Sequence, residues 1–375
     1  MEPIIGRTSA FLNTSHPANI QQSTYLTVHF VYCDIPRQEH AMKITLPESA
    51  PVAAVKPHRC EAHGVEWIDD YAWLRAENWQ QAMREPTSLP TSIAEYLQAE
   101  NRHFDAAMQE THSLQQQLIA EMRGRIEEKE VSLPDKDGDY NYQYQYEEGA
   151  EHPVYLRTYR GSSQQQVLLD INIEAQAHDY FDHDLVEHNT NHKLLAWTCD
   201  TTGAEYFELF IRDLQTGKDL NYSIADVDTA TWATSDILYY TRVDKNHRPN
   251  KVFIHQIGTN PADDILAFEE TDDRFCVEVS TSMSREYVFI STGMNDQDEV
   301  WFVPVATPHA APQVIEPRTD TLEYEVEHRH DHFVILTNAD QSTDFKTSHH
   351  AGHPPITFAL DRSGSAPARH HDPRI

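Results

Sequence analysis

Histidines and carboxylates are the side chains from which chemistry would first be sought. The tightest set among 23 histidines is His328, His330 and His332, in EHRHDH (327–332). On one β-strand, alternate side chains share a face. Three imidazoles on one face can hold Zn²⁺ or Ni²⁺. Glu327, Arg329 and Asp331 alternate with them, so neither face reads as buried. A polar strand lining a channel or facing solvent is the plainer reading, and neither a metal site nor a cofactor is expected. HNTNH (188–192) and HDYFDHD (178–184) read as polar loops. Asp179, Asp182 and Asp184 lack the Gly and terminal Glu of a helix-loop-helix calcium site. The acidic clusters EEGAE (147–151), FEETDDR (268–274) and NDQDE (295–299) are either solvated surface or a field that steers a basic peptide.

No nucleophile is framed for catalysis. A serine hydrolase of the α/β type presents its serine in Gly-x-Ser-x-Gly, on a strand-to-helix turn. No serine here has glycine on both sides at that spacing. GSSQQ (161–165) comes nearest, lacks the second glycine and falls between strand candidates. There is also no GxGxxG, no P-loop and no HExxH. No catalytic residue is expected within these 375 positions.

The elements that would position such groups divide the chain. Residues 1–45 have no sustained period. Met42 opens MKITLPESAPVAAVKPHR, which reads like a natural start, so 1–41 is either an upstream extension or a disordered arm. A helical segment is expected in 46–133. Thr91 or Ser92 would cap its long helix, with Glu95 completing a capping box after Ser92. Leu97, Phe104 and Met108 follow helical spacing, and Leu114, Leu118, Met122 and Ile126 recur every four residues. Thr-His-Ser at 111–113 marks a break.

From 134 to 346 the period changes to two. YNYQYQY (140–146) alternates aromatic and polar residues, and short strand candidates separated by turns follow, the last being EYEVEHRHDHFVILTN (323–338). VYLRTYRG, LFIRDLQTG, VFIHQIGT and VWFVPVATP are variants of one element, an apolar strand running into a turn. VLLD, DILAF and QVIEP follow three of them, and KDLNYSI the fourth. Recurrence every 40 to 55 residues is a propeller blade, and about four blades are expected rather than a sandwich of hairpins. Residues 347–375, with five His, four Pro and three Arg, break this texture and read as an aberrant, disordered tail.

Composition narrows the partners. A net charge of -31 repels nucleic acid and anionic membrane surfaces. No run of 18 apolar residues predicts a transmembrane helix, and MEPIIGRTSAFLNTSHPANI is not a signal peptide. Cys33, Cys60, Cys199 and Cys276 lie far apart without a CxxC, which fits a reducing cytoplasm.

The stretch DDYAWLR (69–75) follows HGVEW (63–67) and puts two aromatics two residues apart. Together with PHRCEAHGVEWIDDYAWLR (57–75), EYLQAEN (95–101), EMRGRIEEKEVSLP (121–134) and YNYQYQYEEGAEHPVYLRTYRG (140–161), it resembles the N-terminal half of the oligopeptidase B branch of the prolyl oligopeptidase family of serine peptidases. The likeness runs from about Pro51 to Lys346. It implies a mainly β fold: a β-propeller, here partial, preceded by a helical wrapping segment. In the family a seven-bladed propeller covers the active site of a C-terminal α/β-hydrolase domain and admits short peptides. This branch cleaves after Lys and Arg, using carboxylates to recognise the basic side chain. The catalytic triad, the oxyanion hole and the specificity acids belong to regions that match no position here. The partners implied are the missing hydrolase domain and short basic peptides. Tyr71, Trp73, Leu74 and Arg75 are then expected to grip that domain, or else Tyr71 and Trp73 plug a local core against the following helix. The reading that follows is a truncated peptidase chain, inactive alone and prone to aggregate; the alternative is a stand-alone propeller that binds protein partners.

Overall fold

The computed structural model describes residue 47 and residues 49–351, and the expectations for 1–41, for Met42 and Cys33, and for 352–375 fall outside them. The chain enters through a hairpin, β1 (His58–Ala62) and β2 (Val65–Asp69). Its two turn residues, His63 and Gly64, have φ of 52° and 74°. Left-handed geometry at both positions is what a two-residue hairpin turn requires, and His and Gly tolerate it. A short helix α1 (Trp79–Arg84) and two longer ones, α2 (Thr91–Met108) and α3 (His112–Arg123), follow. The break between α2 and α3 is a 3-10 turn, Gln109–Thr111. The expected capping box does not form: Pro90 is the N-cap, no side chain caps the helix, and the Pro90 carbonyl accepts from the N–H groups of Ile93 and Ala94. Pro90 is held extended (ψ 131°), so the helix starts at Thr91, two residues earlier than a Ser92 cap would start it.

The rest is an antiparallel meander folded into radial sheets. The first blade orders β3 (Asp135–Asp137), β4 (Tyr140–Gln145), β5 (Val154–Tyr159) and β6 (Gln165–Asp170), and a short α4 (Ile171–Ala175) leads on. A continuous seven-stranded sheet follows, from β7 (Asp182–His188) through β8 (Leu194–Asp200), β9 (Phe207–Asp213), β10 (Lys218–Trp232), β11 (Ile237–Val243) and β12 (Pro249–Gln256) to β13 (Ile265–Glu269). It is two blades fused through β10. Residues up to Val227 pair with β9, Val227–Trp232 pair with β11, and the register shifts between them, where Asp226 takes φ 62°. The fourth blade is β14 (Cys276–Thr281), β15 (Tyr287–Met294), β16 (Gln297–Pro304) and β17 (Gln313–Glu316). The last sheet has three strands, β18 (Tyr324–Arg329), β19 (His332–Thr337) and β20 (Lys346–Ala351). β20 takes in the first five residues of the segment set apart at 347.

The recurring sequence element is the third strand of each four-stranded blade with its turn into the fourth: β5, β9, β12 and β16. Four apolar clusters hold the fold, each between consecutive blades. Period two makes this possible. On β11, Leu238 and Tyr240 pack toward the second blade while Ile237 and Tyr239 pack toward the fourth. β11 is thus buried on both faces, and ILYYT reads as a continuous run rather than an alternation. Polar groups tie the same junctions. Arg318 bonds Glu270 and, at 3.2 Å, Glu299, and its guanidinium lies 3.8 Å from the Phe275 ring.

Candidate functional site

Antiparallel order gives the propeller two unlike rims. Turns between the first and second, and the third and fourth, strands of each blade share one rim, here the turn rim. Turns between the second and third strands, and the connections from blade to blade, share the opposite one, the link rim. EEGAE lies between β4 and β5, the end of FEETDDR between β13 and β14, and the start of NDQDE between β15 and β16. All three acidic clusters therefore lie on the link rim. Carboxylates continue inward from it along the innermost strands, at Asp184, Asp228 and Glu278. Burial, and then the charges of Glu278 and Asp184, raise the Asp228 carboxyl above its ordinary value.

The helical segment sits on that same rim. Arg84 of α1 pairs with Asp226 at 2.8 Å, and its guanidinium lies 3.6 Å from the Tyr206 ring centre. The Gln80 amide donates to the Lys245 carbonyl. Further along, the Gly149 N–H donates to Glu128 at 3.1 Å, and Lys129 lies 3.5 Å from Glu147.

This segment carries most of the large apolar side chains left exposed. Of twenty-six large hydrophobic side chains exposed among the described residues, sixteen lie between Val52 and Leu133. Trp67 and Ile68 stand exposed on a two-stranded hairpin. Phe104 is 62% exposed on α2, and Leu118, Met122 and Ile126 form a stripe along and just beyond α3. Among the described residues of the segment, only Ala76, Ile93, Ala107 and Thr111 are buried. A lone hairpin is marginal in water, and a helix gains most of its stability from burying its apolar stripe. Large exposed apolar patches commonly serve as interaction surfaces.

DDYAWLR divides at this face. The Trp73 ring packs edge-on against Tyr96 of α2 at 6.2 Å, its Nε1 donates to the Ala54 carbonyl at 2.8 Å, and Lys56 Nζ lies 4.1 Å from the ring centre. Leu74 is half-buried beside it, whereas Tyr71 and Arg75 are exposed. Tyr71 donates its N–H to Asp69 at 2.8 Å, which holds the turn.

The three histidines of EHRHDH do not share a strand face. The stretch is a hairpin: β18 ends at Arg329, His330 and Asp331 form the turn with φ 59° at His330, and β19 begins at His332. His328 is buried, 2.8 Å from Ser284 Oγ and packed on Tyr287 and Phe333. Strand periodicity alone does not reveal a two-residue turn without glycine, and this one sits inside the supposed strand. A closer set lies on the turn rim, where Asp137, His188 and His192 bring ligand-capable atoms within 4.8 Å of one another. Sequence reading missed it because Asp137 lies in another blade, 51 residues from His188. Burial pushes the His188 imidazole down to about 4 and the neighbouring Glu187 carboxyl up to about 7.

A sequence model of the family described as "Prolyl oligopeptidase, N-terminal beta-propeller domain" matches residues 51–347. The chain is 28% identical over 298 residues to Protease 2 of Moraxella lacunata, an alignment covering 77% of this chain and 42% of that protein. It is 29% identical over 316 residues to dipeptidyl aminopeptidase BI of Pseudoxanthomonas mexicana, covering 79% and 42%. The chain thus matches less than half the length of these relatives. Among solved structures, oligopeptidase B from Leishmania major superposes with a TM-score of 0.72 at 21% identity, over 81% of this chain and 44% of that one. That likeness is one of fold. No helix among the described residues is long and apolar enough to cross a membrane.

Proposed function

Because the chain belongs to the prolyl oligopeptidase family, over the N-terminal β-propeller portion of that family, we propose that its helical segment, residues 46–133, docks an α/β-hydrolase domain onto the link rim. The propeller over 134–346 then admits short basic peptides to that domain's active site. One observation carries this reading: the apolar side chains left exposed are concentrated in the segment seated on the link rim. Tyr71 and Arg75 are exposed there, and Trp73, packed on Tyr96 of α2, braces the turn that carries them, with Leu74 half-buried. The acidic clusters of the same rim favour peptides bearing Lys or Arg, by raising the local concentration of cations. The choice between cleavage after a basic residue and removal of N-terminal dipeptides, as the name of the second relative describes, lies with the catalytic domain.

Acyl transfer by serine needs an activated nucleophile and an oxyanion hole, and no serine of these residues has the elbow sequence. The purified 375-residue chain is therefore expected not to hydrolyse an arginine-amide chromogenic substrate. Mixed with the separately produced hydrolase domain of Moraxella lacunata Protease 2, it is expected to bind and to restrict that domain to short substrates. Turnover by the chain alone after rigorous purification would overturn the first statement. Lack of binding, with a cooperative, monomeric wild-type chain, would favour a stand-alone interaction module.

A further inference from the structure

We propose that Asp137, His188 and His192 form a binding site for a single borderline divalent cation of the Zn²⁺ class, at the turn rim between the first and second blades. Asp137 closes the innermost strand of the first blade, His188 closes that of the second, and His192 stands in the turn after it. That turn is rigid. Asn189 is fully buried, and its side-chain oxygen accepts from the N–H groups of Lys193 and Leu194 at 2.9 and 3.0 Å. Its amide donates to the Ser235 carbonyl of the next blade at 2.6 Å. The rings of His188 and His192 are held 5.1 Å apart as a result.

Three further observations fit a ligand set rather than an ordinary polar cluster. His188 Nε2 is buried and lies 2.9 Å from Asp137 Oδ2, yet makes no aligned hydrogen bond. Two ligands on a tetrahedral zinc stand about 3.3 Å apart, from bond lengths near 2.0 Å, so a shift of a few tenths of an ångström would seat an ion between them. Tyr142 OH lies 2.9 Å from His192 Nδ1. A ligating histidine is typically oriented by a hydrogen bond through its other nitrogen: with Nδ1–H donating to the Tyr142 oxygen, the Nε2 lone pair is free for metal. Finally, Nε2 points at Gly138, where a Cβ would stand 2.6 Å from it. Two imidazoles and a carboxylate suit zinc, and three protein ligands leave one position for water.

Arg285 is the resident competitor. It comes from the turn between β14 and β15 and pairs with Asp137 at 2.5 Å, bridging the first blade to the fourth. The guanidinium and a metal ion are alternative counter-charges for one carboxylate. Metal binding would exchange this bridge for a staple between the first two blades.

The test uses tag-free, chelator-treated 375-residue protein titrated with Zn²⁺ by calorimetry and with Co²⁺ by visible absorption. The wild type is expected to bind one equivalent more than His188→Gln/His192→Gln, and only the wild type to give the intense Co²⁺ bands of a four-coordinate site. Gly138→Ala keeps both imidazoles and is expected to lose the same equivalent, which separates metal binding from misfolding in the double variant. Arg285→Ala is expected to bind at least about fivefold more tightly. The proposal is overturned if wild type and the double variant show the same stoichiometry and spectrum, or if Arg285→Ala does not strengthen binding.

Discussion

Replacing Leu118, Met122 and Ile126 together by glutamine tests the docking face. These side chains are 42%, 55% and 65% exposed. Glutamine keeps nearly the helix propensity of Leu and Met, so α3 itself should be little affected. Exposed substitutions of this kind typically cost within about 0.5 kcal/mol each. Full burial of such a side chain contributes roughly 1.5–3 kcal/mol, and about half of each surface is still in water, so covering the stripe would yield about 1 kcal/mol per residue. The three together contribute about 3 kcal/mol, or roughly 150-fold in an association constant. Two measurements on the isolated chain read this out. Sedimentation velocity should show the wild type self-associating through the face and the triple variant shifted toward monomer. A urea melt should show midpoints that nearly coincide. A variant that loses several kcal/mol of stability would show the stripe to be core, and unchanged self-association would show that it is not the sticky surface; either result would rule out docking through this stripe.

Further expectations concern the parts that hold this face and the rim. Trp73→Ala should cost about 2 kcal/mol of stability, below the 3–5 kcal/mol of a fully buried Trp because Trp73 is half-buried, while Tyr71→Ala should leave the melt nearly unchanged and weaken hydrolase-domain binding. Arg318→Met strands Glu270 and Glu299 and should cost about 3 kcal/mol by urea denaturation; adding Glu270→Gln and Glu299→Gln should restore most of it, and a triple variant no better than the single would refute the ion-pair account. Asp228→Asn should stabilise the protein at neutral pH. A carboxyl whose folded value lies above its unfolded one binds protons more tightly in the native state, so stability falls as pH rises between the two values. The advantage of Asn should therefore vanish below the unfolded value of about 3.9, as melts at neutral pH and near pH 3.5 would show.

Most of the propeller was legible because its signal is local and repeated. Each third strand carries an apolar run into a turn, and four copies at blade spacing outweigh any single ambiguous strand. The partial propeller and the family likeness follow from residues close in sequence. The fused sheet was not legible: β10 serves two blades, and only a left-handed Asp226 and a register shift mark the join. Nor was the turn inside EHRHDH, where His330 takes the left-handed conformation that sequence reading reserves for Gly and Asn. Strand periodicity then put three histidines on one face, although one of them is core.

The two rims explain why the site itself was only half readable. On the link rim the features are runs, three acidic clusters and an amphipathic stripe, and runs survive translation from sequence to surface whatever the exact register. On the turn rim the features are single residues from separate blades. Asp137, His188 and Arg285 meet only because inner strands of different blades end at the same height, so no window of sequence contains them. HNTNH read as a polar loop for the same reason: its meaning depends on the carboxylate and the Gly138 cradle that another blade supplies. The asymmetry has a functional corollary. If the link rim receives a catalytic domain, the turn rim stays open to solvent, and a cation bound there would act on the junction of the first two blades without meeting the peptide path at the docked end.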